Sequence, residues 1–340
     1  MKRAVCFGEI MMRLNPPEYL RFSQAHTFEV SFAGGEANVA VSLSQFGLPV
    51  SFVTKLPDND LAVSAVRELR KYGVDTGHIA VGGERMGVYY VEKGASQRPS
   101  RVIYDRKHSA ISQASRSDFD WDAVFEDADW FHFTGITPAL SDELAEICAI
   151  ACRTAKAAGL TVSCDLNYRN KLWSGEKARR IMSGLMEYVD VCIANEEDAE
   201  KVFGIRAEKD NLASGGLEAE SFKSVARQLT ERFSLSKAAI TLRGSISAND
   251  NHWSGILYDG RDFYISGDYL IHIVDRVGGG DAFGAGLIYS LLLEKDLQDA
   301  IDFSVAASCL KQTIAFDFNQ VNVSEVYALM KGDASGRVQR

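Results

Sequence analysis

Short apolar runs alternate with amphipathic stretches along most of the chain. The runs "RAVCF", "SFVTK", "WFHFT", "TVSCDL", "VDVCIA" and "AAITL" are rich in β-branched or aromatic residues and close on polar positions. Runs of this length predict strands buried on both faces of a parallel sheet. Between them the pattern predicts helices over 36–46, 59–73, 141–158, 176–187, 219–233 and 281–294. In the third of these, Ser141 is placed as a cap and Glu143 suits the positive end of the helix dipole. Strand and helix in strict alternation predict an α/β fold: a Rossmann-type αβα core whose central sheet is mostly parallel.

Two stretches break this rhythm. Residues 9–32 and 84–107 carry β-rich pieces with no helix between them, and "MGVYYVEKG" and "SRVIYDRKH" read as two paired strands joined by a polar loop. The expected division is a catalytic core of 1–9, 33–83 and 108–330, a small inserted β lid of 10–32 and 84–107, and a disordered tail of 331–340. A decorative surface hairpin is the plainer reading of the insertion; its length favours a lid.

Composition removes several functions. The chain has 340 residues, 46% hydrophobic and 24% charged, with a formal net charge of −9. No strongly basic face is available for nucleic acid. No apolar run is long enough to span a membrane, and a glutamate and an arginine enter too early for a signal-peptide core. The six cysteines lie scattered in apolar segments, as expected of buried free thiols in a reducing cytoplasm.

The candidate chemistry is concentrated in "DRVGGGDAFGAG", residues 275–286. A Gly-Lys dipeptide is absent, which excludes a P-loop, and Gly278, Gly280 and Gly284 have the wrong spacing for a dinucleotide fingerprint. What remains is a run of glycines, Gly278, Gly279 and Gly280, entering a helix. Backbone N–H groups free of Cβ atoms, at the positive end of a helix dipole, form an anion hole. Asp281 follows at once. The same field should keep its carboxylate ionised, and a carboxylate beside a transferring phosphoryl group is useful as the base for the attacking hydroxyl. Taken alone, the pattern serves equally well as a tight turn followed by a first-turn acid.

The same stretch resembles the Asp-x-x-Gly-Ala-Gly-Asp signature of the ribokinase-like (PfkB) carbohydrate kinases. "FAGGEANVAVSLSQFG" resembles their second signature. The likeness runs from Gly8 to about Asn322. Within the family it is closest to the 2-keto-3-deoxygluconate kinases, through "GEIMMRLNPP", "FTGITPALS", "DLNYRNKLW", "ANEEDAEKVFG" and "TLRGSISA". The resemblance implies a kinase using ATP and Mg2+, with room for a monovalent cation such as K+, and a homo-oligomer formed through the lids. It places Gly34, Gly35 and Asn38 on the sugar, with Tyr89, Tyr104, Arg106, Ile136, Arg169 and Asp317. Asn195, Thr241, Arg243 and Gly244 would lie along the nucleotide phosphates. The metal element reads "NEED" here, so either Glu197 or Asp198 would serve Mg2+.

The residues add an argument about the sugar. Tyr104 and Arg106 are two apart and would share one face of a strand. Asn167 and Arg169 follow a buried strand at its C-terminal end, where open α/β sheets bind ligands. Arginine's planar fork suits a carboxylate, so the pair points to a sugar acid, although most arginines are simply solvated. A sister kinase for fructose, ribose or another deoxy-ketoaldonate stays open, as does a non-catalytic sugar sensor. No histidine has a partner at catalytic spacing.

Overall fold

The computed structural model describes residues 2–206 and 217–332. Fourteen strands are present among the described residues: β1 Ala4–Phe7, β2 Met11–Asn15, β3 Glu29–Ala33, β4 Val50–Leu56, β5 Ile79–Val81, β6 Val88–Glu92, β7 Arg101–Asp105, β8 Trp130–Thr134, β9 Thr161–Asp165, β10 Val191–Ala194, β11 Lys237–Ser245, β12 Asp250–Tyr258, β13 Phe263–Ile265 and β14 Tyr269–His272. The α-helices are α1 Gly35–Gln45, α2 Asp60–Lys71, α3 Trp121–Phe125, α4 Asp142–Ala157, α5 Gly175–Leu185, α6 Glu196–Phe203, α7 Leu217–Phe233, α8 Gly279–Leu292, α9 Leu297–Gln312 and α10 Val323–Met330. Each of the six apolar runs became a strand.

The large sheet has the order β13-β12-β11-β10-β9-β8-β1-β4-β5, with β14 also paired to β12. From β11 to β5 every pairing is parallel. The last three strands are antiparallel and were not anticipated. Alternation sorts the buried side chains to two faces. Ala4 and Cys6 of β1 join a core with α1, α2, α8, α9 and α10, while Val5 and Phe7 join one with α3 to α7. Ser141 caps α4 by accepting from Leu144 N–H. All six cysteines are free and buried.

The interrupted rhythm corresponds to a separate four-stranded sheet, β3-β2-β6-β7. Register gives its two faces opposite characters. Val30, Leu14, Tyr90 and Ile103 lie side by side across the four strands on one face; Ser31, Arg13, Tyr89 and Tyr104 do so on the other. The first row is apolar and turned outward, with Val30 and Ile103 more than half exposed. The second carries the polar chemistry, and Arg13 and Tyr89 are buried. Of the tail expected at 331–340, residues 331 and 332 form the turn after α10, and 333–340 lie outside the described residues.

Candidate active site

Gly278 begins the glycine turn as the N-cap of α8, with φ 85°. A Cβ there would also lie 2.3 Å from the Asp317 carbonyl oxygen. Backbone conformation and space both require glycine at this position. At Gly280 an added Cβ would meet no protein atom within 4 Å. The turn is therefore open toward a cleft of about 520 Å3. Its walls come from the C-terminal ends of β9 and β10, from β11 and β12, and from the turn itself. That is where an open α/β sheet binds ligands.

Asp281 sits on the first turn of α8 at the floor of this cleft. Its Oδ2 accepts from Asn38 Nδ2 at 2.6 Å. Gly35 lies alongside: a Cβ on it would be 3.7 Å from Asp281 Oδ1. A Cβ on Gly34 would lie 1.8 Å from the Glu9 carbonyl oxygen. The "GGEAN" segment thus packs one helix start against the other. The expectation that the helix field keeps Asp281 ionised needs correction. Its carboxylate is deep in the cleft, and burial, with a smaller contribution from Asp317 and Glu36, pushes its pKa up to about 7. The Asn38 hydrogen bond and the charge of Arg169 oppose the rise. A carboxylate titrating near neutrality is better matched to a general base than one fixed far below it.

Of the four residues expected along the nucleotide phosphates, Asn195, Thr241 and Arg243 line the cleft, whereas Gly244 pairs with His252 within the β11–β12 ladder and is not among the lining residues. Asn195 caps α6, its Oδ1 accepting from Asp198 N–H at 2.8 Å. Arg169, Lys201, Arg243 and Arg276 give this wall positive charge. The carboxylates of the "NEED" element differ sharply. Glu197 is exposed and paired with Lys201 at 2.8 Å. Asp198 is buried, accepts from Tyr168 N–H at 3.2 Å, and is pushed by burial up to about 6. Asp165, at the end of β9, lines the same cleft and is raised well above the carboxylate range, by burial first and then by Asp198 and Asp281. Asp165 escaped sequence reasoning; its position at the polar end of an apolar strand was the available signal.

Asp165 and Asp198 fit Mg2+: both are oxygen donors, and a cation would relieve the charge that burial opposes. No group of three or more metal-ligating side chains occurs among the described residues. That suits an ion completed by phosphate oxygens and water.

Under the small sheet the remaining candidates form a chain. Arg106 is buried and paired with Glu9, whose other oxygen accepts from Ser109 Oγ at 2.6 Å. The Arg106 guanidinium lies over the Tyr104 ring at 5.4 Å, and Tyr104 stacks on Tyr89 at 5.8 Å. Tyr89 OH donates to Asp317 Oδ2 at 2.8 Å. Asp317 also pairs with Arg13, which binds Asp275 at 2.6 Å through its other nitrogen. Ile136 heads the turn after β8, which buried Glu36 holds through Thr134 and Thr137. The two arginines are therefore not equivalent. Arg106 already has a carboxylate, whereas Arg169 is exposed and faces Asp165, Asp198 and Asp281 across the cleft.

Beside the glycine turn a buried lysine ammonium fills a cage of backbone carbonyls. Lys311 Nζ donates to the carbonyl oxygens of Asp275, Val277 and Phe316. Of the histidines, His132 is buried against Ser163 and held at about 3 by that burial.

The model for "pfkB family carbohydrate kinase" matches residues 1–313. A 2-dehydro-3-deoxygalactonokinase of Haloferax volcanii is 36% identical over 98% of both chains. A 2-dehydro-3-deoxygluconokinase of Thermoproteus tenax is 30% identical over 90% of this chain and 87% of its own. The crystal structure of 2-dehydro-3-deoxygluconokinase from Thermotoga maritima is 50% identical and superimposes with a TM-score of 0.93, covering 97% of this chain and 98% of that one. With a glycine turn opening onto a cleft, an acid on the first turn behind it and relatives matched over almost their full length, the chain belongs to the pfkB family of carbohydrate kinases.

Proposed function

We propose that this kinase transfers the γ-phosphoryl group of ATP to the 6-hydroxyl of 2-keto-3-deoxygluconate, giving the 6-phosphate and ADP. The observation that carries the reading is the position of Asp281. It stands behind the glycine turn, reaches the nucleotide cleft on one side, and is tied through Asn38 to the "GGEAN" segment on the other. The hydroxyl proton passes to Asp281 as the O6–P bond forms and the bond from the γ-phosphorus to the bridging oxygen breaks. The amides of Gly278 to Asp281 stabilise the charge on the phosphoryl oxygens. Thr241 and Arg243 flank the phosphates, with Asn195 at the helix start beside them and Gly244 further along the strand. Asp165 and Asp198 would hold Mg2+, which neutralises phosphate charge when bound. The small sheet acts as a lid, bringing Tyr89 and Tyr104 over the sugar and keeping out water that would otherwise take the phosphoryl group.

Arg169 supports an acidic substrate, because it is a guanidinium in the cleft with no carboxylate hydrogen-bonded to it among the described residues. The names of the relatives support a 2-keto-3-deoxy acid but divide over its C4 epimer. The 50% identity of the Thermotoga protein supports the gluconate epimer. One preparation assayed by ADP release on both epimers, fructose and ribose decides it. The gluconate epimer should give the highest kcat/KM; a neutral sugar matching it removes the sugar-acid reading, and the galactonate epimer exceeding it reverses the stereochemistry.

The outward apolar row Val30–Leu14–Tyr90–Ile103 supports a second copy of this chain packed on the lid. Ile103→Lys should lower the mass measured by light scattering, and an unchanged mass would place the oligomer contact elsewhere. No helix among the described residues is long and apolar enough to cross a membrane. The free, buried cysteines support a reducing, cytoplasmic setting.

A further inference from the structure

Lys311 lies near the end of α9, and its side chain is fully buried. Its Nζ donates to three backbone carbonyls, those of Asp275 at 3.3 Å, Val277, and Phe316 at 2.5 Å. Three acceptors call for three N–H hydrogens, so the group is an ammonium; a neutral amine would turn a lone pair on one of the oxygens. The carbonyls come from two loops. Asp275 and Val277 lead directly into the glycine turn, and Phe316 precedes Asp317, whose carbonyl packs against Gly278. Phe316 has φ 65°, a left-handed conformation that a residue with a Cβ avoids, and in it the carbonyl reaches the ammonium. Burial lowers the Lys311 pKa, and the carboxylates of Asp275 and Asp317, which also bind Arg13, oppose that fall. Without the ammonium, inward-facing carbonyl dipoles and two carboxylates would share one buried space with a single arginine.

We infer that Lys311 is a built-in monovalent cation: its ammonium holds the two loops that set the glycine turn, in place of a bound K+ ion. Ammonium and K+ are close in size, and both are satisfied by a shell of carbonyl oxygens that replaces water. Lys311 is thus a positioning residue. It touches neither substrate, and it acts by keeping the amides of Gly278 to Asp281 aimed at the cleft. The catalytic part of this inference rests on reading the glycine turn as the phosphoryl site; the cation part does not.

The test compares wild type, Lys311→Ala and Lys311→Met in K+, NH4+ or tetramethylammonium chloride at one ionic strength. Two quantities are read: Tm without any substrate, and kcat with saturating ATP and sugar acid. Wild type should show the same Tm and, within about twofold, the same kcat in all three salts. Lys311→Ala leaves a carbonyl-lined hole, so K+ and NH4+ should raise its Tm and restore at least about tenfold of its lost kcat, while tetramethylammonium does neither. Lys311→Met fills the hole without a charge and should not be rescued. A wild type that needs K+ overturns the inference, and this arm requires no variant to fold. A Lys311→Ala protein with near-normal kcat in tetramethylammonium also overturns it. A cation-dependent Tm in Lys311→Ala without a change in kcat keeps the built-in cation and rejects the glycine turn as what it positions.

Discussion

Asn38 Nδ2 lies 2.6 Å from Asp281 Oδ2, a contact between the first turns of two helices 243 positions apart in the chain. It is the direct hydrogen bond that the structure gives the Asp281 carboxylate, and it stabilises the ionised form. It therefore lowers the pH at which Asp281 titrates. Burial raises the carboxyl to about 7, and Asn38 opposes that rise. Wild-type kcat/KM should climb with pH through about 7, because only the deprotonated base accepts the hydroxyl proton. Asn38→Ala should move that limb upward by about one unit, the scale of a lost charge-assisted hydrogen bond. A limb that stays in place would show that Asn38 orients a substrate but does not tune the base.

Asp281→Asn should lower kcat by at least ~10²-fold while ATP still binds. Retention of more than half the wild-type kcat would remove Asp281 as the base. The same variant carries a stability prediction. An aspartate raised from 3.8 to about 7 on folding holds a proton between those values that the unfolded chain has released. Native stability then falls as pH rises through this window, and the deficit is complete above 7. Asp281→Asn removes it. Its Tm should exceed wild type by about 6 °C at pH 8 and converge with it near pH 4. Equal Tm values at pH 8 would mean that the buried carboxylate is better solvated than its surroundings suggest.

Arg169 and Arg106 separate by what each already holds. Arg169→Ala should raise KM for the sugar acid about 10- to 150-fold, the scale of one charge-assisted hydrogen bond, and leave KM for ATP nearly unchanged. It should also shift the pH limb upward, because the Arg169 charge helps to keep Asp281 ionised. Arg169→Lys keeps the charge and loses the planar fork, so the limb should return while KM stays high. Arg106→Ala instead leaves Glu9 buried without its partner. It should cost about 3–5 kcal/mol of stability, as for other broken buried pairs. Chemical denaturation reads that loss, and an Arg106→Ala protein as stable as wild type would show that Glu9 finds a new partner.

Local pattern carried the parallel sheet and the glycine turn, because both are written in contiguous residues. Each of the six β-branched runs appears as a strand at almost its expected bounds. The β12–β13 hairpin was missed although its signal was local: "LYDGRDF" places an Asp-Gly pair between apolar flanks, and Gly260 takes φ 90° there. What lay beyond reach depends on long-range approach. Asp165 becomes a candidate metal ligand only because the end of β9 meets Asp198 and Asp281. The bond between Arg106 and Glu9 joins residues 97 positions apart, so nothing local distinguished it from the freer Arg169. Nothing local marks Lys311 either, because its environment is made by two other loops.

Arg13 joins the small sheet to the core, and both functions of that joint can be measured. It lies on β2 with its side chain fully buried, and its guanidinium binds Asp275 before the glycine turn and Asp317 after α9. Removing it leaves two buried carboxylates short of a partner. Arg13→Met, similar in length and uncharged, should therefore lower stability by about 3–5 kcal/mol at neutral pH. Arg13→Lys should recover only part of this, because one ammonium cannot reproduce a fork that spans two carboxylates. If the sheet closes over the sugar and excludes water, weakening its anchor should also admit water. ATP hydrolysis without sugar should be very slow in wild type and should rise relative to the kinase rate in Arg13→Met. Phosphate release and ADP release on the same preparation separate the two reactions. A destabilised variant whose hydrolysis-to-transfer ratio equals that of wild type would leave Arg13 as a structural tie alone, and the sheet would not be what keeps water from the phosphoryl group.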